Sequence, residues 1–505
     1  MAQNITYKIK SDDTSVLNNQ VDYCVGTGRM GLALQKAYQE QLALNQAEIG
    51  FKHIRGHGIF ADDMAIYQEY TDEAGNVHTE YNFTYLDMVM DDYLAKNIRP
   101  FLELGFMPEK MASGDQTVFY WKGNVTPPKD YHNWTALVIA TLSHLMERYG
   151  EKEVLTWPIE VWNEPNLAGF WKDADMEEYF RLFKTTFESI KSFHPSLLVG
   201  GPAICGVDDV HWLKEFLDFC IREKLRPDFI SRHHYMFDKP EFVGHYSYGD
   251  LRNPWETLKE LQVSRELIDS HELTRGLPMH VTEFNTSYSP DSPLHDTVRN
   301  ASYIAWQLSH MGQFSDSYSY WTFGDIFEEK GVPFTPFHGG FGLVANGVIP
   351  KPTFWTFAFM KTLNGECVKC TDDLTLVKMA DGTYRGLAYN MCFEKADEMI
   401  MAIELPVSMD DPSQTYCLTT KTVDEDHANP LKVWHDLGEP SHLSKDQLRL
   451  LKDCAKPYVQ TKLLEKEENK VPFTLDLLPY GLVWFEIKPV TIKSDRGYSY
   501  ERAIH

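Results

Sequence analysis

No long hydrophobic run interrupts the 505 residues: nothing approaches the roughly 18 unbroken apolar residues that a membrane-spanning helix requires. Membrane association is therefore not expected. The chain opens MAQNITYKIKSDDTS, which has neither a basic start with an apolar core nor a small-residue cleavage site, so export by a standard signal is not expected. Cysteine is sparse. Cys24, Cys205, Cys220, Cys367, Cys370, Cys392, Cys417 and Cys454 are too thinly spread to staple a secreted domain, and they read as reduced thiols of a cytoplasmic protein. Positive charge is in deficit too, with 48 Lys and Arg against 73 Asp and Glu and a formal net charge of −25. Nucleic-acid affinity rests on Lys and Arg neutralising phosphates, so no nucleic-acid partner is expected and neutral ligands such as sugars fit better.

What is present is alternation. From about residue 20 to 345, short apolar or β-branched runs alternate with longer helical-period stretches, the pattern of repeated βα units around a parallel sheet. Eight runs read as strands: 21–28, 51–57, 98–106, 158–165, 197–203, 228–235, 278–285 and 317–323. Eight such units imply a closed barrel. Between them lie amphipathic helices such as MEEYFRLFKTTFESIKSF, where Phe180, Phe183, Phe187, Ile190 and Phe193 form a stripe expected to face the barrel wall.

The pattern changes after residues 350–363. Strand-like runs separated by turn residues follow, for example LTLVKMADGTYRGLAYNM with a turn at Asp381 and Gly382, which suggests an antiparallel β-sandwich. The expected organisation is a (β/α)8 TIM barrel over 15–345 and a C-terminal β-sandwich domain over 346–505, joined by residues 1–14 through ITYKIK. The charged run KLLEKEENK, 462–470, reads as a solvated loop or helix face.

Two glutamates end strands. Glu164 closes the fourth run in Trp162, Asn163, Glu164, Pro165, where an apolar strand delivers a carboxyl to the desolvated barrel top and raises its pKa, as a proton donor requires. A helix-capping turn is the plain alternative. Glu283 closes the seventh run in Val281, Thr282, Glu283, Phe284, Asn285, three βα units later and thus across the barrel mouth. Two carboxylates so placed can flank one glycosidic bond: a gap of about 5–5.5 Å implies double displacement, and about 6.5–9.5 Å implies inversion. The charge of an ionised Glu283 keeps Glu164 protonated, and esterification of Glu283 releases that restraint. Asn163, His233, Tyr235 and Trp321, with Arg55 and His57 at the end of the second strand, suit a sugar pocket on the same rim.

Two motifs mislead. Gly26, Gly28 and Gly31 match G-x-G-x-x-G between a strand and a helix, but the next strand ends Arg55, Gly56, His57 instead of in the acid that would hold a ribose. No cofactor is expected. Cys367 and Cys370 have the spacing of half a zinc site without a second pair, and the adjacent His233 and His234 face opposite sides of a strand, so no metal is expected.

The runs YCVGTGRMGLALQ, IRGHGIF, LGFMPEKMASGDQTVFYWKGNVTPPKDY, VWNEPNLAGFWKDA, VGGPAIC, SRHHY, VTEFNTSYSP and SYWTFGDIFEE resemble glycoside hydrolase family 39, specifically its bacterial β-xylosidases. The resemblance covers nearly the whole barrel. It implies a retaining, exo-acting β-1,4-xylosidase acting on xylo-oligosaccharides, with a barrel, an appended β-sandwich and a homotetrameric assembly. It places Glu164 on the acid/base position and Glu283 on the nucleophile, and assigns His57, Asn163, His233, Tyr235, Tyr288, Trp321, Glu328 and Glu329 to the sugar site. His234 and Phe284 stand where such enzymes often carry Ala and Tyr, which bears on substrate preference. Alternatives on the same site are a β-glucosidase, an α-L-arabinosidase or an iduronidase-like enzyme. A non-catalytic sugar-binding protein is the alternative from another class, and the pair of glutamates argues against it.

Overall fold

The computed structural model describes residues 2–393, 395–407, 414–491 and 497–505. Its centre is a closed barrel of eight parallel strands: β1 (Cys24–Thr27), β2 (His53–Gly56), β3 (Arg99–Leu104), β4 (Ile159–Val161), β5 (Val199–Ile204), β6 (Phe229–Tyr235), β7 (Met279–Asn285) and β8 (Ser317–Tyr320). Each lies within or against one of the eight expected runs. Pairing runs in chain order and closes from β8 back to β1, through Ser319 against Cys24 and Tyr320 against Val25.

Residues two apart on a strand face the same way, so Phe101 and Glu103 of β3 both point into the barrel. The lower interior is filled by Cys24, Phe101 and Phe229, with the Phe101 and Phe229 rings 5.4 Å apart. Above this apolar plug the interior turns polar at Arg55, Glu103 and Glu160, all fully or almost fully buried. The catalytic rim therefore stands on charged groups that are cut off from water.

The helix Met176–Phe193 shows how the outer ring is made. Asp175 caps it by accepting from the Glu178 amide, and Phe180, Phe183, Phe187 and Ile190 are buried, each contributing roughly 1.5–3 kcal/mol. Phe193 departs from the expected stripe. It sits in the last turn and is 37% exposed, because the helix has run past the barrel edge.

The barrel's apolar surface also extends beyond residue 345. Helix Pro352–Lys361 packs on the wall, with Phe357 contacting the rings of Tyr320, Phe284 and Phe51, and so fills the eighth helical place. The expected boundary between 345 and 346 placed this helix with the C-terminal domain instead.

The C-terminal domain is a sandwich. A six-stranded antiparallel sheet, in the order Glu366–Cys370, Leu374–Lys378, Tyr384–Tyr389, Leu482–Val490, Thr415–Val423 and Tyr458–Leu464, faces a three-stranded sheet of Gln3–Lys8, Met399–Pro406 and Lys470–Leu477. Leu376, Ala388, Met401, Ile403, Leu475 and Phe485 interlock between them. One pair is parallel rather than antiparallel, Gln3–Lys8 against Met399–Pro406. A strand arriving from the far end of the chain has no hairpin to reverse it. The turn at Asp381 and Gly382 forms, with Gly382 at φ 83 and the Thr383 amide donating to Asp381 Oδ1. Two short helices, Pro430–Asp436 and Lys445–Cys454, were not foreseen; Trp434 and Leu451 pack against Phe337 and Ile349 beyond β8.

Candidate active site

β4 ends in a backbone held open. Trp162 and Glu164 have φ of 75 and 45, left-handed values that cost a non-glycine residue free energy and that cluster where a side chain must be aimed. The Glu164 amide donates to the Ala203 carbonyl at 3.0 Å. Asn166 then ties the loop after β4 to the loop after β5, donating to the carbonyls of Cys205 at 2.9 Å and Val207 at 2.6 Å and accepting from the Cys205 amide at 3.0 Å. These bonds fix Glu164 against the barrel mouth, 7% exposed. Glu283 reaches the same place from within β7, 4% exposed.

One carboxylate oxygen of Glu164, one of Glu283 and a ring nitrogen of His233 all lie within 4.8 Å of one another. Such a trio could grip a cation, but one oxygen of Glu164, both oxygens of Glu283 and Nδ1 of His233 are already bonded. His233 Nδ1 is 2.7 Å from Glu164 Oε1, Arg55 Nη1 donates to Glu283 Oε1 at 2.6 Å, and Tyr235 Oη donates to Glu283 Oε2 at 2.7 Å. A guanidinium on the carboxylate and a hydrogen-bonded imidazole suit a proton better than a divalent ion.

Arg55 is the hub. Besides Glu283, its Nε donates to Glu160 Oε2 at 2.7 Å, its Nη2 donates to Asn163 Oδ1 at 2.8 Å, and its Nη2 lies 3.0 Å from Glu103 Oε2. Three carboxylates hold its pKa above the usual guanidinium range in spite of its burial. Glu103 also receives His57 Nδ1 at 2.7 Å, which turns Nε2 toward Glu283 and Glu329, 3.7 and 3.9 Å away. Thr282 Oγ1 donates to the other oxygen of Glu160 at 2.9 Å.

The two glutamates differ in protonation. Burial raises both. For Glu164 the nearby charge of Glu283 adds to the rise, and its pKa stands well above the ordinary value. For Glu283, Arg55, His57 and the Tyr235 hydroxyl act against burial, so its rise is the smaller one. Burial, then the charges of Glu283 and Glu164, push Glu329 well above as well. Burial and Arg55 push His233 well below, so it is neutral. The arrangement holds a protonated carboxyl beside an ionised one, as bond cleavage by general acid and nucleophile requires.

A cavity of about 470 Å³ opens over the pair. Of the residues expected at the sugar site, His57, Asn163, Glu164, His233, Tyr235, Glu283, Tyr288, Trp321 and Glu329 line it. Trp321 lines it beside His57, the ring centroids 4.8 Å apart and tilted by 51°. Glu328 does not line this cavity. Its carboxylate is drawn away to Arg29 Nη2 at 2.8 Å, and it borders a separate cavity with Gln35 and Phe334. The glycines of G-x-G-x-x-G serve packing: a Cβ on Gly26 would meet the Trp321 ring, and one on Gly28 would meet Leu32 and Phe327. Cys367 and Cys370 are free thiols on one strand.

Sequence reasoning missed Glu103 and Glu160, whose only signal is an acid inside an otherwise apolar strand. It also missed Phe170, Phe237, Arg252 and Glu260 on the cavity wall, which lie on loops and a helix and carry no periodic signal.

Known proteins resemble the chain over most of its length. The model for glycosyl hydrolases family 39 matches residues 6–469. A β-xylosidase of Geobacillus stearothermophilus is 46% identical over 473 residues, spanning 93% of this chain and 92% of its own. A β-xylosidase of Caldicellulosiruptor saccharolyticus is 34% identical over 487 residues, spanning 92% of this chain and 94% of its own. The crystal structure of a monomeric β-xylosidase from Caulobacter crescentus CB15 superposes with a TM-score of 0.85 at 31% identity, covering 97% of this chain and 100% of that one.

Proposed function

The chain belongs to glycosyl hydrolases family 39, and from that premise we propose that it is a retaining, exo-acting β-1,4-xylosidase releasing xylose from xylo-oligosaccharides. The observation that carries the mechanism is the approach of Glu164 and Glu283 within 4.8 Å, oxygen to oxygen. That is short of the roughly 6.5–9.5 Å that makes room for an attacking water in inversion, and near the separation of about 5–5.5 Å that goes with double displacement. The choice of xylose is supported by the β-xylosidases of Geobacillus stearothermophilus and Caldicellulosiruptor saccharolyticus.

In the first step Glu164 gives its proton to the glycosidic oxygen as a Glu283 oxygen attacks C1. The C1–O bond to the leaving sugar breaks, and an ester forms between C1 and Glu283. With Glu283 esterified, the repulsion that kept Glu164 protonated is gone. Glu164 then takes a proton from water as the water oxygen attacks C1, and Glu283 leaves as a carboxylate. Arg55 and Tyr235 hold Glu283 ionised and aimed; His57, Asn163 and Glu329 offer hydrogen bonds to sugar hydroxyls, and Trp321 and Tyr288 offer apolar faces. The barrel is the catalytic unit of this proposal and the sandwich an accessory one. The reading includes cytoplasmic residence and, on the resemblance, a tetramer; light scattering on the purified protein distinguishes this from the monomer described for the Caulobacter crescentus enzyme.

Two measurements test the roles. Glu283→Ala abolishes turnover of aryl β-xylosides, while Glu164→Ala spares substrates with good leaving groups far more than xylobiose; equal, mild losses in both variants sink the assignment. Treatment with a slowly hydrolysed fluoro-xyloside adds the mass of one sugar to the Glu283 peptide, and no adduct there refutes the covalent step. A panel of nitrophenyl glycosides ranks xylose against glucose, arabinose and iduronate.

A further inference from the structure

The catalytic cavity continues into a recess that the chemistry above does not use. Its wall is formed by Cys205, Phe237, Arg252 and Glu260. It opens on the Glu164 side, since the loop carrying Cys205 is the one that Asn166 ties to the end of β4 and the Glu164 charge is felt at the Cys205 thiol, adding to the rise that burial causes there. In an acid-catalysed cleavage the departing group lies beside the residue that protonates it. The recess is therefore on the leaving-group side of the bond.

Its chemistry is neutral and amphipathic. Arg252 Nη2 donates to Glu260 Oε1, and Arg232, behind them, pairs with Asp209 at 2.8 Å, so two cations are matched by two anions. The Arg252 and Glu260 side chains remain 30% and 33% exposed, so a ligand can reach both groups, and a pair this open contributes little to stability by itself. Beneath Glu260 lies His234, 1% exposed, with neither ring nitrogen partnered. Its Nδ1 stands 3.7 Å from Glu260 Oε2. Burial holds this imidazole neutral, so it offers a spare hydrogen bond that steadies the carboxylate when Glu260 turns toward a ligand. A donor and an acceptor side by side, next to the Phe237 ring, match the vicinal hydroxyls and C–H face of an uncharged sugar ring.

We propose that this recess seats the sugar unit that leaves, with Glu260 accepting from and Arg252 donating to its hydroxyls and Phe237 against its C–H face. The inference rests on the β-xylosidase reading. Xylobiose and methyl β-xyloside separate the two, because both have poor leaving groups that depend on Glu164 while only xylobiose carries a second ring. For Arg252→Met and for Glu260→Leu, the ratio of kcat/KM for xylobiose to that for methyl β-xyloside falls about 10-fold or more, the loss expected when a hydrogen bond to a charged group is removed. A ratio within about twofold of the original enzyme in both variants, whether the two substrates decline together or not at all, overturns the recess and leaves the β-xylosidase reading standing. An original enzyme that cleaves neither substrate overturns the β-xylosidase reading itself.

Discussion

Replacing Tyr235 by Phe removes one oxygen atom and nothing else from the barrel mouth, and the structure sets what that atom does. Tyr235 Oη donates to Glu283 Oε2 at 2.7 Å, inside a site where Glu283 is 4% exposed. No bulk water replaces the lost donor, and a hydrogen bond to a buried carboxylate is worth about 1.5–3 kcal/mol. The bond favours the ionised form, acting with Arg55 and His57 against the upward push of burial. Its loss therefore raises the pKa that governs Glu283. Glu283 must be ionised to attack, so activity falls as pH drops through that pKa. A higher pKa therefore moves the acid limb of the kcat/KM profile toward neutral pH. At the optimum the same energy corresponds to a loss of roughly ten- to a hundred-fold. The assay is kcat/KM for nitrophenyl β-xyloside from about pH 4 to 9, with circular dichroism as a folding control. An acid limb that stays in place or moves to lower pH, with activity within about twofold of the original enzyme, refutes the reasoning.

Three further outcomes are expected. Arg55→Met strands Glu103, Glu160 and Glu283 together and costs about 3–5 kcal/mol, seen as a lowered melting midpoint along with lost turnover; an unchanged midpoint contradicts the hub. Glu164→Gln melts higher than the original enzyme at pH 7. The folded pKa of Glu164 is raised, so the stability it contributes is complete below the ordinary carboxyl value and is lost as pH rises through the folded one; the advantage of Gln should therefore vanish near about pH 4. Asn166→Ala removes the tie between two loops at a cost of about 2–4 kcal/mol, and hydrogen exchange at the amides of 203–207 accelerates if the tie is what holds them.

The barrel was legible because each of its strands is a short apolar run followed by a helical stripe, and Glu164 and Glu283 because each interrupts such a run at its end. What was not legible depends on closure. Arg55 looked like one rim residue among several, since its four partners arrive from β3, β4 and β7 and meet only when the sheet curls round. Glu103 and Glu160 escaped notice for the same reason. Glu328 and Glu329 are neighbours on an irregular segment after β8, where no period says which faces inward; Arg29 draws one away and the cavity keeps the other. Arg252 sits just before the helix Pro254–Asp269 and Glu260 in its second turn, and nothing local marks either as facing the pocket.

The reach of Arg55 across β2, β3, β4 and β7 also sets which parts of the chain can be exchanged. A one-residue slip in any of these strands turns its inward side chains outward, and the guanidinium would lose a partner on every strand that moved. The start of the rim loop after β4 is tethered as well, through Asn163; among the described residues the other rim loops have no bond to the guanidinium. Grafting them from a relative to change the accepted sugar is compatible with the machinery, whereas transplanting one strand of the four requires transplanting the other three in the same alignment.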